Sequence, residues 1–378
     1  MRLPVRTLVA LGPIVLLLAC GSEASTTGGV ENAPPVQPPV SPPVVMPPTD
    51  PPVQKGAWKA VVLPTKANVN AAYAPREGLA FFGTDAGMYR LDGKEVSKVD
   101  LGCACTIEDI DRDTGLAIGT DGTNVYAGIY DGARGYKAFD WKTSRVGPKA
   151  RRVAGNATSF VYAPVGGNRT VRYDPTALFG SPTFGPEADG GDLLRQGDHA
   201  ITVWGSVGSY WVAGGRGMYS HAGAYVKATQ GDYLFMDVWA GWALRLDTSC
   251  NGATCGGPTF LFRYDGAAWT SELEITAKGH GEPVRFWMAS KNSVMTDIWT
   301  ITQRVDGGAG TGADPVVYGG AIGHVDQKDL AWRWVDFPKQ QELLSAAFTA
   351  SEAFVTGRDG VVYRCVQPGC DAASSAPK

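Results

Sequence analysis

The chain has 378 residues, a formal net charge of −3, 49 Gly, 25 Pro and 11 Trp, with 19% charged and 10% aromatic residues. So many backbone breakers exclude a helical bundle, and so much apolar and aromatic side chain excludes a disordered polymer. Without a basic excess, nucleic acid gripped through its phosphates is excluded as a starting point, and whatever is bound is recognised by shape.

At the N-terminus Arg2 and Arg6 precede an apolar run from Leu8 to Leu18 that breaks at Ala19-Cys20-Gly21-Ser22. The run is too short to span a bilayer as a stable helix and reads as a signal peptide, residues 1–19. Leu17-Leu18-Ala19-Cys20 resembles the bacterial lipobox. That resemblance implies cleavage before Cys20, acylation of Cys20 (palmitate among the chains) and retention on a membrane. Gly21 in the next place, rather than Asp, points to the outer membrane of the cell envelope. The plainer alternative is an ordinary secretory signal with an incidental Cys. Removing residues 1–19 takes away two Arg and no acid, leaving 32 basic and 37 acidic side chains and a formal net charge of −5.

Residues 20–55 continue as a tether. From Ala33 to Gln54 the sequence carries ten Pro between Pro34 and Pro52. Such density favours polyproline II, and about 22 residues at ~3.1 Å each give a semi-rigid spacer of roughly 70 Å. Pro-rich segments also serve as ligands for aromatic grooves.

From residue 56 to 370 one pattern recurs: an apolar strand, a Gly-centred turn, a second strand, then an Asp-Gly turn and often a Trp strand. The clearest copies are Gly83 to Gly93, Phe262 to Trp269 and Gly357 to Arg364. Taking Leu91, Tyr130, Tyr173, His221, Tyr264, Val325 and Cys365 as equivalent markers gives intervals of 39, 43, 48, 43, 61 and 40. A period in the low forties with four short strands per copy predicts an all-β propeller of seven blades. The long interval holds an insertion, Val305 to Pro315. Gly56 to Leu63 looks like an orphan Trp strand that completes the last blade and closes the ring. Pro338 to Val355 reads as two strands joined at Ala350-Ser351-Glu352, although a helix is the competing reading. Paired β-sandwiches are the alternative architecture, and residues 371–378 are expected to be a disordered tail.

Apart from Cys20, six cysteines fall in three local pairs, Cys103/Cys105, Cys250/Cys255 and Cys365/Cys370. In an oxidising compartment the two C-x4-C pairs read as loop disulfides worth about 2 kcal/mol each in the chain-entropy model. Cys103-Ala-Cys105 is tighter, and reads as a structural bond, two thiols or a redox pair. His199, His221, His280 and His324 do not stand in ligand spacing with these cysteines, so zinc is rejected.

Asp109, Asp111 and Asp113 place carboxylates on alternate residues before Thr114-Gly115, the pattern by which short loops wrap calcium. The same residues also make a good turn. Arg145, Lys149, Arg151 and Arg152 crowd four cations into an inter-blade segment, either a solvated loop or a contact for an acidic partner. Together with His280 and Glu282 of the 278–282 loop and the 305–315 insertion, they are the candidate partner contacts. Asp85, Asp121 and Asp359 fall in equivalent turns and read as repeat hardware, and no catalytic residue can be picked.

The Gly-Thr-Asp-Gly turns resemble part of the Asp-box of sialidase-type propeller glycosidases, but the full box is missing. Residues 56–370 as a whole resemble bacterial envelope lipoproteins with a seven-bladed propeller of BNR/kelch-like repeats. The resemblance implies a rigid disc that binds or scaffolds a protein or polysaccharide without catalysis and without a cofactor, calcium aside. The alternative is an envelope glycan hydrolase or lyase. It requires unrepeated acids and arginines to meet at the mouth of the central channel.

Overall fold

Short apolar stretches punctuated by Gly and Asp-Gly turns pair with their neighbours in sequence, since each strand alone leaves its backbone groups unmet. A computed structural model describes residues 57–132, 135–137, 139, 141–144, 150–155, 160–164, 170–174, 183–186, 200–206, 209–221, 225–229, 234–246, 259–275, 282–291, 294–306, 316–318, 322–326, 331–335, 342–366 and 370. These residues contain no helix and form seven antiparallel sheets. Among them no helix is long and apolar enough to cross a membrane.

After β1 (Trp58–Ala60), sheet I contains β2 (Val69–Arg76), β3 (Leu79–Thr84), β4 (Gly87–Asp92) and β5 (Glu95–Val99). Sheet II contains β6 (Thr106–Ile110), β7 (Ala117–Thr120), β8 (Asn124–Gly128) and β9 (Trp141–Ser144). Sheet III has β10 (Ala150–Gly155), β11 (Phe160–Pro164), β12 (Val171–Asp174) and β13 (Thr183–Pro186). Sheet IV has β14 (Ala200–Ser206), β15 (Ser209–Gly214), β16 (Met218–His221) and β17 (Tyr225–Lys227). Sheet V follows with β18 (Leu234–Trp239), β19 (Trp242–Leu246), β20 (Thr259–Tyr264) and β21 (Trp269–Ile275). In sheet VI, β22 (Glu282–Lys291) and β23 (Val294–Asp306) pair Trp287 with Trp299. There β24 (Val316–Tyr318) pairs only with the far end of β23, while β25 (Ile322–Asp326) and β26 (Ala331–Trp334) complete the sheet. Of the 305–315 insertion, Val305 and Asp306 end β23 and pair with β24, and residues 307–315 lie outside the described residues.

Sheet VII is made of β27 (Leu343–Phe348), β28 (Glu352–Gly357) and β29 (Val362–Val366), in the order β1-β29-β28-β27. Residues 338–355 therefore contribute two strands and not a helix. Strand β1 pairs Trp58 with Cys365, Lys59 with Arg364 and Ala60 with Tyr363, which is the place expected for the orphan Trp strand. Trp58 is 1% exposed, so the joint is anchored by an indole worth about 3 kcal/mol or more of burial as well as by the ladder.

The first strands pack side by side in a closed cycle: β2 on β6, β6 on β10, β10 on β14, β14 on β18, β18 on β22, β22 on β27, and β27 on β2. The chain is a β-propeller, and the paired-sandwich alternative does not form. Its core is a set of layers between neighbouring sheets. Phe81, Met88 and Ile107 fill the space between sheets I and II. Phe235 and Phe262 of sheet V pack with Met218 of sheet IV. Val69 and Phe82 of sheet I meet Phe354 and Val362 of sheet VII. A polar clasp reinforces that last joint. Arg364 pairs with Glu352 and donates to the Gly93 carbonyl at 2.7 Å, while Glu352 accepts the Gly78 N–H at 2.8 Å. Residues Val53–Lys378 make one compact unit with all of this core inside it.

Candidate functional site

The ends of the first strands converge on one face. Ile110 ends β6 and Asp111 to Asp113 follow it, Val203 and Trp204 lie in the second half of β14, Val238 and Trp239 end β18, and together they line a hollow of about 250 Å³, open solvent included. A second hollow of about 290 Å³ lies beside it, lined by Tyr73 of β2 and Phe348 of β27. Arg112 and Trp239 border both. This is the channel mouth, and because both volumes include open solvent, the space the side chains leave free lies far below the ~300–1,000 Å³ usual for a small-molecule pocket.

The turn from Asp111 to Gly115 reaches over this mouth. It is closed by Asp111 N–H to the Leu116 carbonyl at 2.8 Å and Gly115 N–H to the Asp111 carbonyl at 3.0 Å. Gly115 has φ +69°, and a Cβ there would come within 2.5 Å of the Tyr73 ring, so backbone conformation and space both demand glycine. Arg112 on the turn crosses to sheet V, where its Nη2 lies 2.6 and 2.7 Å from the two carboxylate oxygens of Asp237. Its guanidinium sits 5.2 Å from the centre of the Trp239 ring. Asp113 accepts the indole N–H of Trp204 at 3.0 Å and of Trp239 at 2.8 Å. One turn of sheet II is thereby tied to sheets IV and V.

Burial dominates the protonation of Asp111. Its carboxyl, 6% exposed, is pushed up from 3.8 to about 7 by loss of water, against the opposing pull of the Thr114 N–H, with the charge of Asp113 adding to the rise. Its Oδ1 accepts Asp113 N–H at 3.0 Å, Thr114 N–H at 2.7 Å and the Thr114 hydroxyl at 2.8 Å. The Tyr73 hydroxyl beside it is raised to about 12, by burial first and then by Tyr130, Asp111 and Asp113. Tyr136 is also raised by burial, and its hydroxyl donates to the Gly115 carbonyl.

The calcium loop expected at Asp109, Asp111 and Asp113 is not assembled: among the described residues no three acidic, His or Cys side chains are placed to hold a metal ion. A register shift between Ile107 and Asp109 and the tight turn at Asp111 break the alternation that would have aligned the three. Asp109 instead accepts the Val153 N–H at 2.9 Å and faces Arg152 at 3.9 Å. Nor is the basic segment one solvated loop. Arg151 and Arg152 lie on β10, and Arg152, with its side chain 15% exposed, is committed to Asp109 of the next sheet. Glu282 begins β22, with its side chain outside the described residues, as are Arg145, Lys149 and His280.

Cys103 is bonded to Cys105 and Cys365 to Cys370, whereas Cys250, Cys255 and Cys20 lie outside the described residues. Asp85, Asp121 and Asp359 all occupy turns between the second and third strands of their sheets. Asp121 shows what such a residue does: Thr123 and Asn124 N–H, the Asn124 amide and the Tyr126 hydroxyl all donate to it, holding it below the usual carboxylate range. Sequence reasoning missed Trp204, Trp239 and Asp237. The available signal was a Trp in the second half of the first strand of two successive repeats.

Unrepeated acids and arginines do meet at the mouth, but they are bonded to each other, Arg112 with Asp237 and Arg152 with Asp109.

No protein-family model and no curated protein sequence matches the chain. Solved structures do match in fold. YCF48 from Cyanidioschyzon merolae aligns with TM-score 0.54 and 13% identity over 82% of this chain and 98% of that one. A structure described as YCF48 bound to D1 peptide gives 0.51 and 13% over 84% and 99%. The β-propeller domain of Cps50 (Swd1) from Myceliophteria thermophila gives 0.55 and 10% over 82% and 100%. The GH74 enzyme of Niastella koreensis gives 0.51 and 13%, over 81% of this chain but 53% of that one. At these identities the likeness is one of fold, and the chain is similar to β-propellers from binding proteins and from an enzyme alike.

Proposed function

We propose that the chain is a non-enzymatic binding or scaffold module for a protein or polymer partner, with its sheets as the blades of a seven-bladed ring. It is carried on the outer membrane of a bacterial envelope by acylated Cys20 and the Pro-rich tether. The observation that carries the binding reading is that the groups at the channel mouth are engaged by the fold itself: Arg112 pairs with Asp237 and Arg152 with Asp109, while Thr114 holds Asp111 and the Trp204 and Trp239 indoles hold Asp113. A catalytic centre needs groups directed at a substrate, and here they are directed at neighbouring residues. The peptide-bound YCF48 structure supports a fold of this kind presenting a face to a polypeptide.

The test is capture from cell envelopes on immobilised residues 53–378, followed by reconstitution of the recovered component with purified protein. A stoichiometric partner that rebinds supports the reading. In the intact chain, Cys20→Ser shifts the protein from the membrane to the soluble fraction if the anchor is as proposed.

A second reading, an envelope glycan hydrolase or lyase, draws on Asp111, which keeps its proton to near neutrality as a general acid must. Release of new reducing or unsaturated ends from envelope polysaccharide, abolished by Asp111→Asn, would replace the first reading.

A further inference from the structure

The two disulfides among the described residues are placed very differently. Cys365 and Cys370 are both 0% exposed and lie in one core cluster with Trp58, so their bond fastens the last strand where the ring closes. Cys103 and Cys105 stand only two residues apart. A disulfide stabilises chiefly by closing a loop, and less the shorter the loop, so this bond has the smaller structural task. Its segment is anchored by other means as well. Thr106 opens β6 in register with Thr120, and the Leu101 carbonyl accepts the Phe139 N–H at 3.0 Å.

The bond is open to solvent from one side. Residues 100–105 link β5 to β6 and lie on the face opposite the channel mouth, since the mouth follows the far end of β6. Asp100 Oδ1 accepts the Gly102 N–H at 3.0 Å, and Gly102 takes the turn at φ +67°. Gly102 and Ala104, on either side of Cys103, are exposed and carry no side chain large enough to cover it. Cys103 is partly exposed, whereas Cys105 is 2% exposed and packs with Leu101 and Ile107. A thiolate attacks a disulfide sulfur along the S–S axis, so Cys103 is the sulfur that can be attacked and Cys105 is the leaving group.

A thiolate released toward the core is favoured by a nearby cation. Lys98 of β5 supplies one: its Nζ and the Cys105 carbonyl oxygen lie 3.8 and 3.9 Å from the point where a Gly87 Cβ would stand. A side chain at Gly87 would also meet Lys98 Cε at 3.3 Å, so the glycine leaves the ammonium its place beside the start of β6.

We propose that Cys103–Cys105 is a thiol–disulfide exchange site that hands its bond to a dithiol of a partner protein. One partner thiolate attacks Cys103 Sγ, which forms a mixed disulfide and releases Cys105 as a thiolate near Lys98. The partner's second thiolate then attacks the partner sulfur of the mixed disulfide and releases Cys103. The partner's two thiols end as a disulfide, Cys103 and Cys105 end as thiols, and the two protons pass from the partner's thiols to these cysteines. The exchange is stoichiometric, one bond per chain, and it uses a face remote from the mouth, so it does not depend on the binding-module reading.

The test uses the full chain with Cys20→Ser, so that the tether thiol takes no part. It is mixed without oxygen with a reduced synthetic peptide holding two cysteines separated by two glycines, and free thiols are alkylated at intervals and located by mass spectrometry. Cys103 and Cys105 should become alkylated as the peptide is oxidised, about tenfold or more faster than Cys365 and Cys370. Cys105→Ser, which leaves the outer thiol, should form a mixed disulfide with the oxidised peptide about tenfold faster than Cys103→Ser, which leaves the inner one. Lys98→Met should slow transfer about two- to threefold at low salt with thermal unfolding unchanged. A Cys103–Cys105 bond that persists while the peptide stays reduced, or equal rates of adduct formation in the two single variants, overturns the proposal. So does a loss of thermal stability in Cys103→Ser/Cys105→Ser as large as that in Cys365→Ser/Cys370→Ser, which marks a structural bond. Equal transfer by Lys98→Met and its parent overturns the part assigned to Lys98.

Discussion

Replacing Asp111 by Asn tests the physics of the channel mouth directly. The carboxyl is raised from 3.8 to about 7, chiefly by burial. The folded protein therefore holds a proton that the unfolded chain releases near pH 4, so the contribution of Asp111 to stability is greatest below pH 4 and is lost as pH climbs to about 7. A rise of that size corresponds to about 4 kcal/mol, and allowing for relaxation around the carboxylate leaves about 2–4 kcal/mol. Asn keeps an acceptor for the Thr114 N–H and hydroxyl but carries no charge to bury. Urea unfolding followed by tryptophan fluorescence should show Asp111→Asn close to the parent protein at pH 4 and below, and more stable by about 2–4 kcal/mol at pH 8. An unchanged difference across that range, or a variant that is less stable at pH 8, would refute the assignment of a strained, buried charge.

Other outcomes follow from named contacts. Arg112→Met leaves Asp237, which is 0% exposed, without its countercharge and should cost about 3–5 kcal/mol, with much of the loss recovered in the Arg112→Met/Asp237→Leu pair; a double-mutant cycle measures it. Glu352→Ala removes both the Arg364 pair and the acceptor of the Gly78 N–H, and should lower stability by about 2–3 kcal/mol in thermal unfolding, with the loss insensitive to salt because the carboxylate is buried. Trp58→Ala opens a cavity at the joint of β1 and β29 and should cost about 3–5 kcal/mol, seen as early exposure of β29 amides in hydrogen exchange.

What could be read in advance was local. Tyr173, His221, Tyr264, Val325 and Cys365, chosen only as repeat markers, fall on the third strands of sheets III to VII, and Leu91 on that of sheet I. Strand alternation and turn chemistry act over a few residues, and a period repeats them. What escaped was the mouth. Asp113 takes its donors from residues 91 and 126 positions away, and no spacing rule reaches so far. For the same reason three alternate carboxylates read as a cation loop and proved to face three different sets of partners. Arg152 read as a solvated cation because its neighbour Asp109 is brought to it only by the packing of β10 on β6.

The pairing of β1 with β29 also sets a schedule for biosynthesis. An unfinished chain emerging N-terminus first has its opening strand but not the strand it must zip to, so sheet VII and the contact of β27 with β2 wait for the final residues. Until then β1 lacks its partner strand and the partial ring presents bare apolar sheet faces at both ends, open to association with other nascent chains. A chain secreted before it is complete would gain from a chaperone that shields those two faces, and from none at all once Cys365 has met Trp58.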